Sequence, residues 1–196
     1  MASNEIVFIT GNVNKLNEVR MLLANDGAQK PSFTIRNMNL DLEEVQGANL
    51  EEIALTKCKE AVQKLPTGQA VFVEDTALCF DEFNGLPGAY IKWFVKSMGV
   101  EKVAQMLNGF ENRGAKAVTT VVYADNKGEF HTFQGITAGT IVNTPRGSRT
   151  FGWDCIFQPN EGSGETYAEM AKEQKNLISQ RGRAFAKLKM HLQGKS

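Results

Sequence analysis

A short, continuous apolar run near the start of the chain limits what it can fold into. Residues 6–9 read Ile-Val-Phe-Ile, and this β-branched run predicts a buried strand. Thr10-Gly11-Asn12 follows the run, and a helix is predicted from about Asn14 with its apolar side chains on one face. A strand, a glycine turn and a helix in this order often place a ligand at the helix N-terminus.

The remaining pattern alternates strands with helices early in the chain and forms hairpins late. Strands are predicted at 33–35, 70–73, 118–124 and 129–133, and the segment 139–142 either extends the last of these antiparallel strands or adds another. Helices are predicted at 50–65, 90–98, 100–107 and over a C-terminal segment in which Leu177, Arg181, Ala184, Phe185, Leu188 and Leu192 share a face. The pattern predicts a mixed α/β fold, and 196 residues suit a single domain with room for a minor lobe.

Composition and charge exclude several classes of protein. Hydrophobic residues are 42% and charged residues 22% of the chain, which is close to globular averages and argues against disorder or a coiled coil. The 22 basic and 22 acidic residues cancel, so the overall basic field typical of a nucleic-acid-binding protein is missing. The longest apolar runs are only a few residues long, so no membrane span is predicted.

Cysteine usage and the N-terminal residues predict a reducing, intracellular setting. The three cysteines, Cys58, Cys79 and Cys155, are widely spaced and form no C-x-x-C pair, so neither a zinc site nor a disulfide framework is indicated. The first five residues, Met-Ala-Ser-Asn-Glu, lack the basic region and apolar run of a secretory signal.

The turn after the first strand is a candidate phosphate-binding loop. Gly11 allows a close approach of the backbone, the helix N-terminus favours an anion, and Lys15 adds a full positive charge. The motif G-x-x-x-x-G-K-[ST] is absent, so this is no Walker A loop. An ordinary turn between a strand and a helix, with a lysine on the surface, fits the same residues.

Acidic residues form a second candidate site. Glu44 lies in a predicted loop, while Glu74 and Asp75 are expected at the end of a buried strand. Ligands bind outside the carboxyl ends of strands in open α/β sheets, and carboxylates that meet there suit Mg²⁺. A solvated acidic loop and a helix-capping aspartate are the alternatives. The solvated loop is favoured for Glu44 alone, since charged residues are mostly exposed, whereas Asp75 is the sharper candidate because two adjacent acids directly after a short apolar strand are unusual.

Three later segments carry polar and aromatic residues that suit a nucleotide. Lys92 follows the loop Gly85-Leu86-Pro87-Gly88, and the segment 149–154 could stack a flat ring and bond its edge. Ser179 is a candidate N-cap that would present the next two side chains from a first helical turn. Each segment also has a purely structural explanation. The glycines and proline at 85–88 could simply form a loop, the aromatic residues of 149–154 could be part of the core, and the residues after Ser179 could be solvated positions on a helix.

Six sequence blocks occur here in an informative order. They read FITGNVNK, DLEEVQG, VFVEDTALCFDEFNGLPGAYIKWF, TFGWDCIFQP, TYAEM and KNLISQRGRAF, and the match to which they belong runs from Ile6 to about Phe185. Together they closely resemble the inosine triphosphate pyrophosphatase family, which hydrolyses non-standard purine nucleoside triphosphates. The third block alone is highly specific.

The resemblance implies a fold, a reaction and a setting. The fold would be a central mixed β-sheet flanked by helices, in one domain of residues 1–196 with two lobes and an intervening cleft. The reaction would convert a purine nucleoside triphosphate (ITP, dITP or XTP, in an order that stays open) and water to the monophosphate and pyrophosphate, with Mg²⁺ or alternatively Mn²⁺. The resemblance further implies a homodimer in the cytoplasm and also in the nucleus, with neither nucleic acid nor membrane as a partner.

The resemblance also implies roles for particular residues. The phosphate-binding loop falls on Thr10, Gly11, Asn12, Val13, Asn14 and Lys15, the metal ligands on Glu44 and Asp75, further phosphate contacts on Lys57, Thr76 and Lys92, and base recognition on Phe151, Gly152, Trp153, Asp154, Lys175, Gln180 and Arg181. Asp75 also binds substrate in this scheme and is the catalytic residue. The family commonly has histidine where this chain has Gln180, and glutamine donates a hydrogen bond without titrating near neutral pH.

A chemical hypothesis follows from these roles. Lys15, Lys57, Lys92 and the metal would balance the charge of the triphosphate, and Asp75 would orient or deprotonate the attacking water. Gln180 and Arg181 would donate to the 6-oxo group of hypoxanthine or xanthine and would face another donor in adenine. The sequence does not explain how the 2-amino group of guanine is rejected.

Three other functions compete with this hypothesis. A non-catalytic module that binds or senses purine nucleotides would use the same residues, although carboxylates beside a phosphate loop favour a metal-dependent enzyme. A nucleic-acid-binding protein is disfavoured by the zero net charge and the lack of a basic run. A P-loop phosphotransferase lacks its motif.

Overall fold

The computed structural model describes residues 5–24 and 33–194. The first four residues, on which the prediction about a secretory signal partly rests, lie outside this range. Within it the strands are β1 Glu5–Ile9, β2 Thr34–Met38, β3 Val71–Phe80, β4 Pro87–Gly88, β5 Gly114–Ala124, β6 Phe130–Ile141 and β7 Phe157–Pro159. The helices are α1 Val13–Leu23, α2 Leu50–Gln63, α3 Ile91–Gln105, α4 Lys172–Ile178 and α5 Gln180–Leu192, with one turn of 3-10 helix at Asp154–Ile156.

The strands form a mixed sheet, which confirms the predicted α/β fold class. Six strands follow the order β2-β1-β3-β5-β6-β7, and β4 pairs with β3. β1 runs parallel to β2 and to β3, with Val7 opposite Val71 in the register. β3 with β4 and β6 with β7 are antiparallel pairs. No helix in the described ranges is both long and apolar enough to cross a bilayer.

The chain groups into two compact units. The first unit comprises residues 1–75, 120–134 and 184–196, and the second comprises residues 76–119 and 135–183. The chain passes from the first unit to the second at the bond between Asp75 and Thr76, inside β3. The strands β3, β5 and β6 each contribute residues to both units.

The first unit buries both faces of β1, which explains the continuous apolar run at its start. Phe8 stacks on Phe72 with 4.6 Å between ring centroids, and Phe185 of α5 meets both rings edge-on. Val7, on the opposite face, packs in a separate core with Cys58 of α2. Alternate side chains point to opposite faces of a strand, so a strand covered on both sides must be apolar throughout.

The second unit has its own aromatic core. Phe157 of β7 lies 5.0 Å from the ring of Tyr167 and 5.6 Å from that of Trp153, measured between centroids. Leu78 and Phe80 of β3 belong to the same core. α3 is kinked at Gly99, whose φ of 81° is left-handed, and this separates the two helical segments that the sequence predicts there.

Several predicted boundaries are wrong. β3 extends to Phe80, so Glu74 and Asp75 lie in the middle of a strand rather than at its carboxyl end. The strand predicted at 33–35 is Thr34–Met38, and the strand predicted from 118 begins at Gly114. The strand predicted at 129–133 continues to Ile141 as β6, so the segment 139–142 extends it rather than adding another strand. In each case paired backbone continues the strand through residues whose side chains alone suggest an end.

The predicted shared face of the C-terminal segment is wrong at Leu177. Ser179 has an extended backbone and divides the segment into α4 and α5, so Leu177 is 82% exposed rather than on the buried face. Ser179 Oγ accepts a hydrogen bond from the N–H of Gly182 at 3.0 Å, which confirms the predicted N-cap. A Cβ at Gly182 would collide with the carbonyl oxygen of Asn176, so glycine permits this close approach.

Candidate active site

The predicted phosphate loop is an exposed turn that leads into α1. Asn12 caps the helix, with its Oδ1 accepting the N–H of Lys15 at 3.1 Å, and Thr10 Oγ1 accepts the N–H of Asn12 at 3.1 Å. Gly11, Val13 and Asn14 are exposed beside them. The loop therefore presents backbone N–H groups and a helix N-terminus to solvent, as an anion site requires.

Lys15 and Glu74 form an ion pair in the first unit. Lys15 Nζ donates to Glu74 Oε1 at 3.2 Å, and the Glu74 side chain is fully buried while that of Lys15 is 22% exposed. Burial of a carboxylate is costly unless it is paired, so this contact explains how β3 carries a charge in its interior. It also holds the lysine beside the loop.

Asp75 lies near side chains of both positive and negative charge. Lys57 Nζ of α2 is 3.9 Å from Asp75 Oδ1, and both side chains are partly exposed. Removal from bulk water raises the pKa of Asp75 above its ordinary value, and the charges of Glu74 and Glu44 act in the same direction. Lys57 and Lys15 oppose this effect. We call Lys15, Glu44, Lys57, Glu74 and Asp75 the carboxylate–lysine group.

The donor set of this group fits a hard divalent cation. Glu44 and Asp75 offer carboxylate oxygens, which Mg²⁺ prefers, and their mutual repulsion is what a bound cation relieves. Glu74 is already paired with Lys15.

A different cluster also offers ligand atoms. Asp125, Glu129 and His131 place one such atom each within 4.8 Å of one another at the turn between β5 and β6. Asp125 and Glu129 were not predicted as ligands, and exposed acidic groups often gather without a metal.

Lys92 lies in the second unit, in the first turn of α3. Its side chain is exposed, and Nζ lies 5.2 Å from the centroid of the Trp93 ring. Trp93 is 38% exposed. The contact with the ring restricts the conformations of the Lys92 side chain, and its ammonium group stays accessible to solvent.

The predicted base-recognition segment begins with an aromatic ring beside two cations. Lys175 Nζ lies 4.6 Å from the centroid of the Phe151 ring, and the Arg181 guanidinium carbon lies 5.5 Å from it. Gly152 has a left-handed φ of 53°, which explains why glycine follows the aromatic residue. Trp153 is buried in the core of the second unit.

Buried charged residues surround Phe151. Lys175 donates to Asp154 Oδ2 at 2.6 Å, and only 5% of Lys175 is exposed. Arg181 is 3% exposed and donates to Thr76 Oγ1 at 3.4 Å, while Thr76 is hydrogen-bonded to Thr119 at 2.8 Å. Buried cations that are held by hydrogen bonds mark candidate functional sites.

Gln180 completes this set at the first residue of α5. It is buried, and its Oε1 accepts a hydrogen bond from the Tyr167 hydroxyl at 3.0 Å. We call Phe151, Asp154, Lys175, Gln180 and Arg181 the aromatic–cation group. All five lie in the second unit.

The structure thus brings most of the predicted residues together in two sets, one in each unit, while Lys92 lies in the second unit outside both named groups. Sequence reasoning assigned no role to Tyr167 or Thr119, although each is a hydrogen-bond partner of a predicted residue. Tyr167 falls in the block TYAEM, which contributed to the family resemblance but did not indicate what the tyrosine does. Thr119 gave no signal, since a threonine inside an apolar strand is ordinary.

Fold and residues together define a class of protein. A mixed α/β sheet carries an exposed helix N-terminus with lysines and carboxylates in one unit, and a ring flanked by buried donors in the other. These are features of proteins that bind nucleotides. A phosphate chain is bound by positive charge and backbone N–H groups, and a flat base is bound by stacking on a ring and by hydrogen bonds to its edge.

Comparisons with known proteins identify the family. The model of the Ham1 family matches residues 6–191. Inosine triphosphate pyrophosphatase of Kluyveromyces lactis is 64% identical over 98% of this chain and 97% of its own length. The Saccharomyces cerevisiae protein of the same name is 59% identical, with 98% of each chain covered.

A solved structure agrees with these sequence matches. The Ham1 protein of Staphylococcus aureus is 27% identical, with a TM-score of 0.81 and coverage of 98% of this chain and 100% of that one. The chain belongs to the Ham1 family.

Proposed function

We propose that this protein is a nucleoside triphosphate pyrophosphohydrolase that converts non-standard purine nucleotides (ITP, dITP and XTP) to the monophosphate and pyrophosphate, and so removes them from the nucleotide pool. The relatives named inosine triphosphate pyrophosphatase support this activity, at 64% and 59% identity. The observation that carries the proposal is the pair of residue groups: charged carboxylates and lysines in one unit, and buried donors beside an aromatic ring in the other.

The carboxylate–lysine group would handle the phosphates. Lys15 and Lys57 supply positive charge, together with the N–H groups at the start of α1, and Lys92 of the second unit adds a further contact. Lys15 is held by Glu74 and Lys57 lies 3.9 Å from Asp75, so the cations are positioned before a substrate arrives. Preorganised charge of this kind lowers the barrier to phosphoryl transfer.

Glu44 and Asp75 would hold the metal ion, which we propose is Mg²⁺ with Mn²⁺ as an alternative. When bound, the ion supplies positive charge to the phosphates and to the leaving pyrophosphate. Asp75 would orient the attacking water or accept its proton, a role that its partial burial and raised pKa suit. Attack falls on the α-phosphorus, and the bond from that phosphorus to the bridging oxygen breaks.

The aromatic–cation group would select the base. Arg181 and Gln180 are buried donors that match the 6-oxo group of hypoxanthine or xanthine, and Phe151 offers a ring on which a base stacks. Adenine presents an amino group at the same position and would face these donors with another donor. Sites built on such hydrogen bonds reject mismatched analogues strongly, by up to about 10⁴–10⁵.

Asp75 and Thr76 are consecutive residues of β3, one in each unit. The strand therefore joins the two units along the chain. The prediction that residues 1–196 form one domain with two lobes stays a prediction.

Assembly and location complete the proposal. We infer a homodimer in the cytoplasm and also in the nucleus, as the family resemblance implies, with neither nucleic acid nor a membrane as partner. Light scattering on the purified protein should give twice the 21.6 kDa of one chain. A mass of one chain at micromolar concentration would contradict the dimer.

A pyrophosphate-release assay tests the activity. ITP, XTP, GTP and ATP are compared with and without Mg²⁺, and we expect rapid release from ITP and XTP that depends on the metal. A non-catalytic binding module would bind ITP and release nothing.

A further inference from the structure

Gln180 combines deep burial with an incomplete set of protein partners. Only 2% of the residue is exposed, and it begins α5 directly after the N-cap Ser179. Its amide oxygen accepts the hydroxyl of Tyr167 at 3.0 Å. Within residues 5–24 and 33–194, no protein acceptor is recorded for its amide nitrogen, Nε2.

The amide nitrogen is therefore not fully enclosed by protein atoms. Every fully enclosed side-chain nitrogen or oxygen in the described part of the chain has a hydrogen bond. Since Nε2 has no recorded protein partner, it must retain some contact with solvent. A donor at the end of an otherwise buried side chain is in the position expected of a ligand contact, because leaving it without any partner would cost free energy.

Tyr167 is held firmly enough to orient that amide. Its ring is 98% buried, and it packs on Phe157 and Trp153 at centroid distances of 5.0 and 6.4 Å. Burial raises the pKa of the phenol far above its ordinary value, so the hydroxyl keeps its proton.

We propose that Tyr167 is a positioning residue that fixes the orientation of the Gln180 amide, so that Nε2 donates to the 6-oxo group of the purine. This role rests on the proposed function, and it explains how a glutamine, where the family commonly has histidine, can select the base. The two ends of an amide are similar in shape and opposite in hydrogen bonding. Rotated by half a turn, Gln180 would offer Oε1 to the 6-amino group of adenine, and the Tyr167 hydroxyl opposes that rotation.

The test compares ITP with ATP in the variant Tyr167→Phe. The ring and its packing remain, and only the hydroxyl is lost. We expect the ITP/ATP ratio of kcat/KM to fall about three- to tenfold, the value of one hydrogen bond, chiefly because ATP is hydrolysed faster. Tyr123→Phe is the matched control, since Tyr123 is a buried tyrosine of the first unit and its loss of a hydroxyl should leave the ratio unchanged.

A double-mutant cycle separates orientation from general damage. In a Gln180→Ala background, Tyr167→Phe should no longer change the ITP/ATP ratio, because no amide remains to be oriented. An equal change in both backgrounds would overturn the inference, as would an unchanged ratio in the single variant.

A second variant covers the case in which Tyr167→Phe does not fold. Gln180→Glu keeps an acceptor for Tyr167 and replaces the donor with an oxygen, so the preference for ITP should be lost. A retained preference would overturn the inference. These outcomes differ from a failure of the proposed function, in which the wild-type protein itself releases no pyrophosphate from ITP.

Discussion

The carboxylate–lysine group and the aromatic–cation group differ in how they hold their charges. In the first, Asp75 and Lys57 are partly exposed and lie 3.9 Å apart, so their charges are separated and reachable from solvent. In the second, Lys175, Gln180 and Arg181 are each at least 95% buried, and Lys175 bonds to Asp154 at 2.6 Å. The first group can be reached by a highly charged ligand from solvent, whereas the second keeps its hydrogen-bonding side chains inside the protein.

This difference corresponds to two tasks. Phosphate chains and metal ions carry charge, so the residues that meet them must be reachable from solvent as well as held in place. A base is discriminated by a few hydrogen bonds, and these discriminate only when the protein groups are fixed. We therefore expect changes in the first group to lower the rate and changes in the second to alter the choice of substrate.

The largest effect should come from Asp75→Asn. The amide cannot accept a proton from water, so turnover of ITP should fall by about 10²–10⁴, while binding of ITP measured by calorimetry is retained. The control is Asp81→Asn, an exposed aspartate just beyond the end of β3. Turnover like that of the wild type in Asp75→Asn would break the assignment of the rate to the first group.

Arg181→Ala should instead change the choice of substrate. The loss of a buried, charged donor to the 6-oxo group should lower the ITP/ATP ratio of kcat/KM by about 10- to 100-fold. Arg183→Ala is the control, because this arginine lies on the same helix and bonds to Glu161 and the carbonyl oxygen of Ile136. If both substrates slowed equally in Arg181→Ala, the distinction between the two groups would lose its support.

The Lys15–Glu74 pair should contribute to stability as well as to phosphate binding. Lys15→Met leaves the buried Glu74 without that counter-charge, and we expect the free energy of unfolding to fall by about 1–2 kcal/mol, less than for a fully enclosed pair since Lys15 is 22% exposed. Urea unfolding of both proteins in the absence of nucleotide measures this change in the free energy of unfolding. Lys64→Met, which breaks the exposed pair of Lys64 with Glu60, should cost less; a larger cost there would contradict the reasoning.

The smallest expected effect concerns His191, in the first unit and outside both groups. Burial lowers the pKa of His191 below its ordinary value, and the neighbouring His131 acts in the same direction. As the pH falls, the unfolded chain therefore binds a proton on His191 before the folded chain does. The stability that the neutral ring contributes is complete above the pKa of the unfolded chain and is lost as the pH falls through the pKa of the folded chain. Urea unfolding from about pH 8 to about pH 5 should show a shallower decline in His191→Gln than in the wild type. Equal declines would refute this.

Local patterns in the sequence predicted much of the fold. The apolar run at residues 6–9 is β1, and the break between the two helical segments near Gly99 is a kink in α3. Sequence could not reveal that β3 continues through Glu74 and Asp75, because the lysines that stabilise these charges come from α1 and α2. Strand ends are set by pairing partners that are distant along the chain.

The candidate site was predicted in a similar, partial way. The residues came from quoted motifs, and the structure gathers them within each unit. The partnership of Tyr167 with Gln180 could not be predicted, since a tyrosine in an irregular segment carries no pattern that names its partner. The helix start at Ser179 was predicted, but the exposure of Leu177 was not, because the spacing of the apolar residues on both sides of Ser179 suits one continuous helical face.

The most direct test of the central claim identifies the products formed from ITP in the presence of Mg²⁺. Phosphorus NMR of the reaction should show inosine monophosphate and pyrophosphate in equal amounts, as attack at the α-phosphorus requires. Inosine diphosphate with orthophosphate as the products would contradict the account.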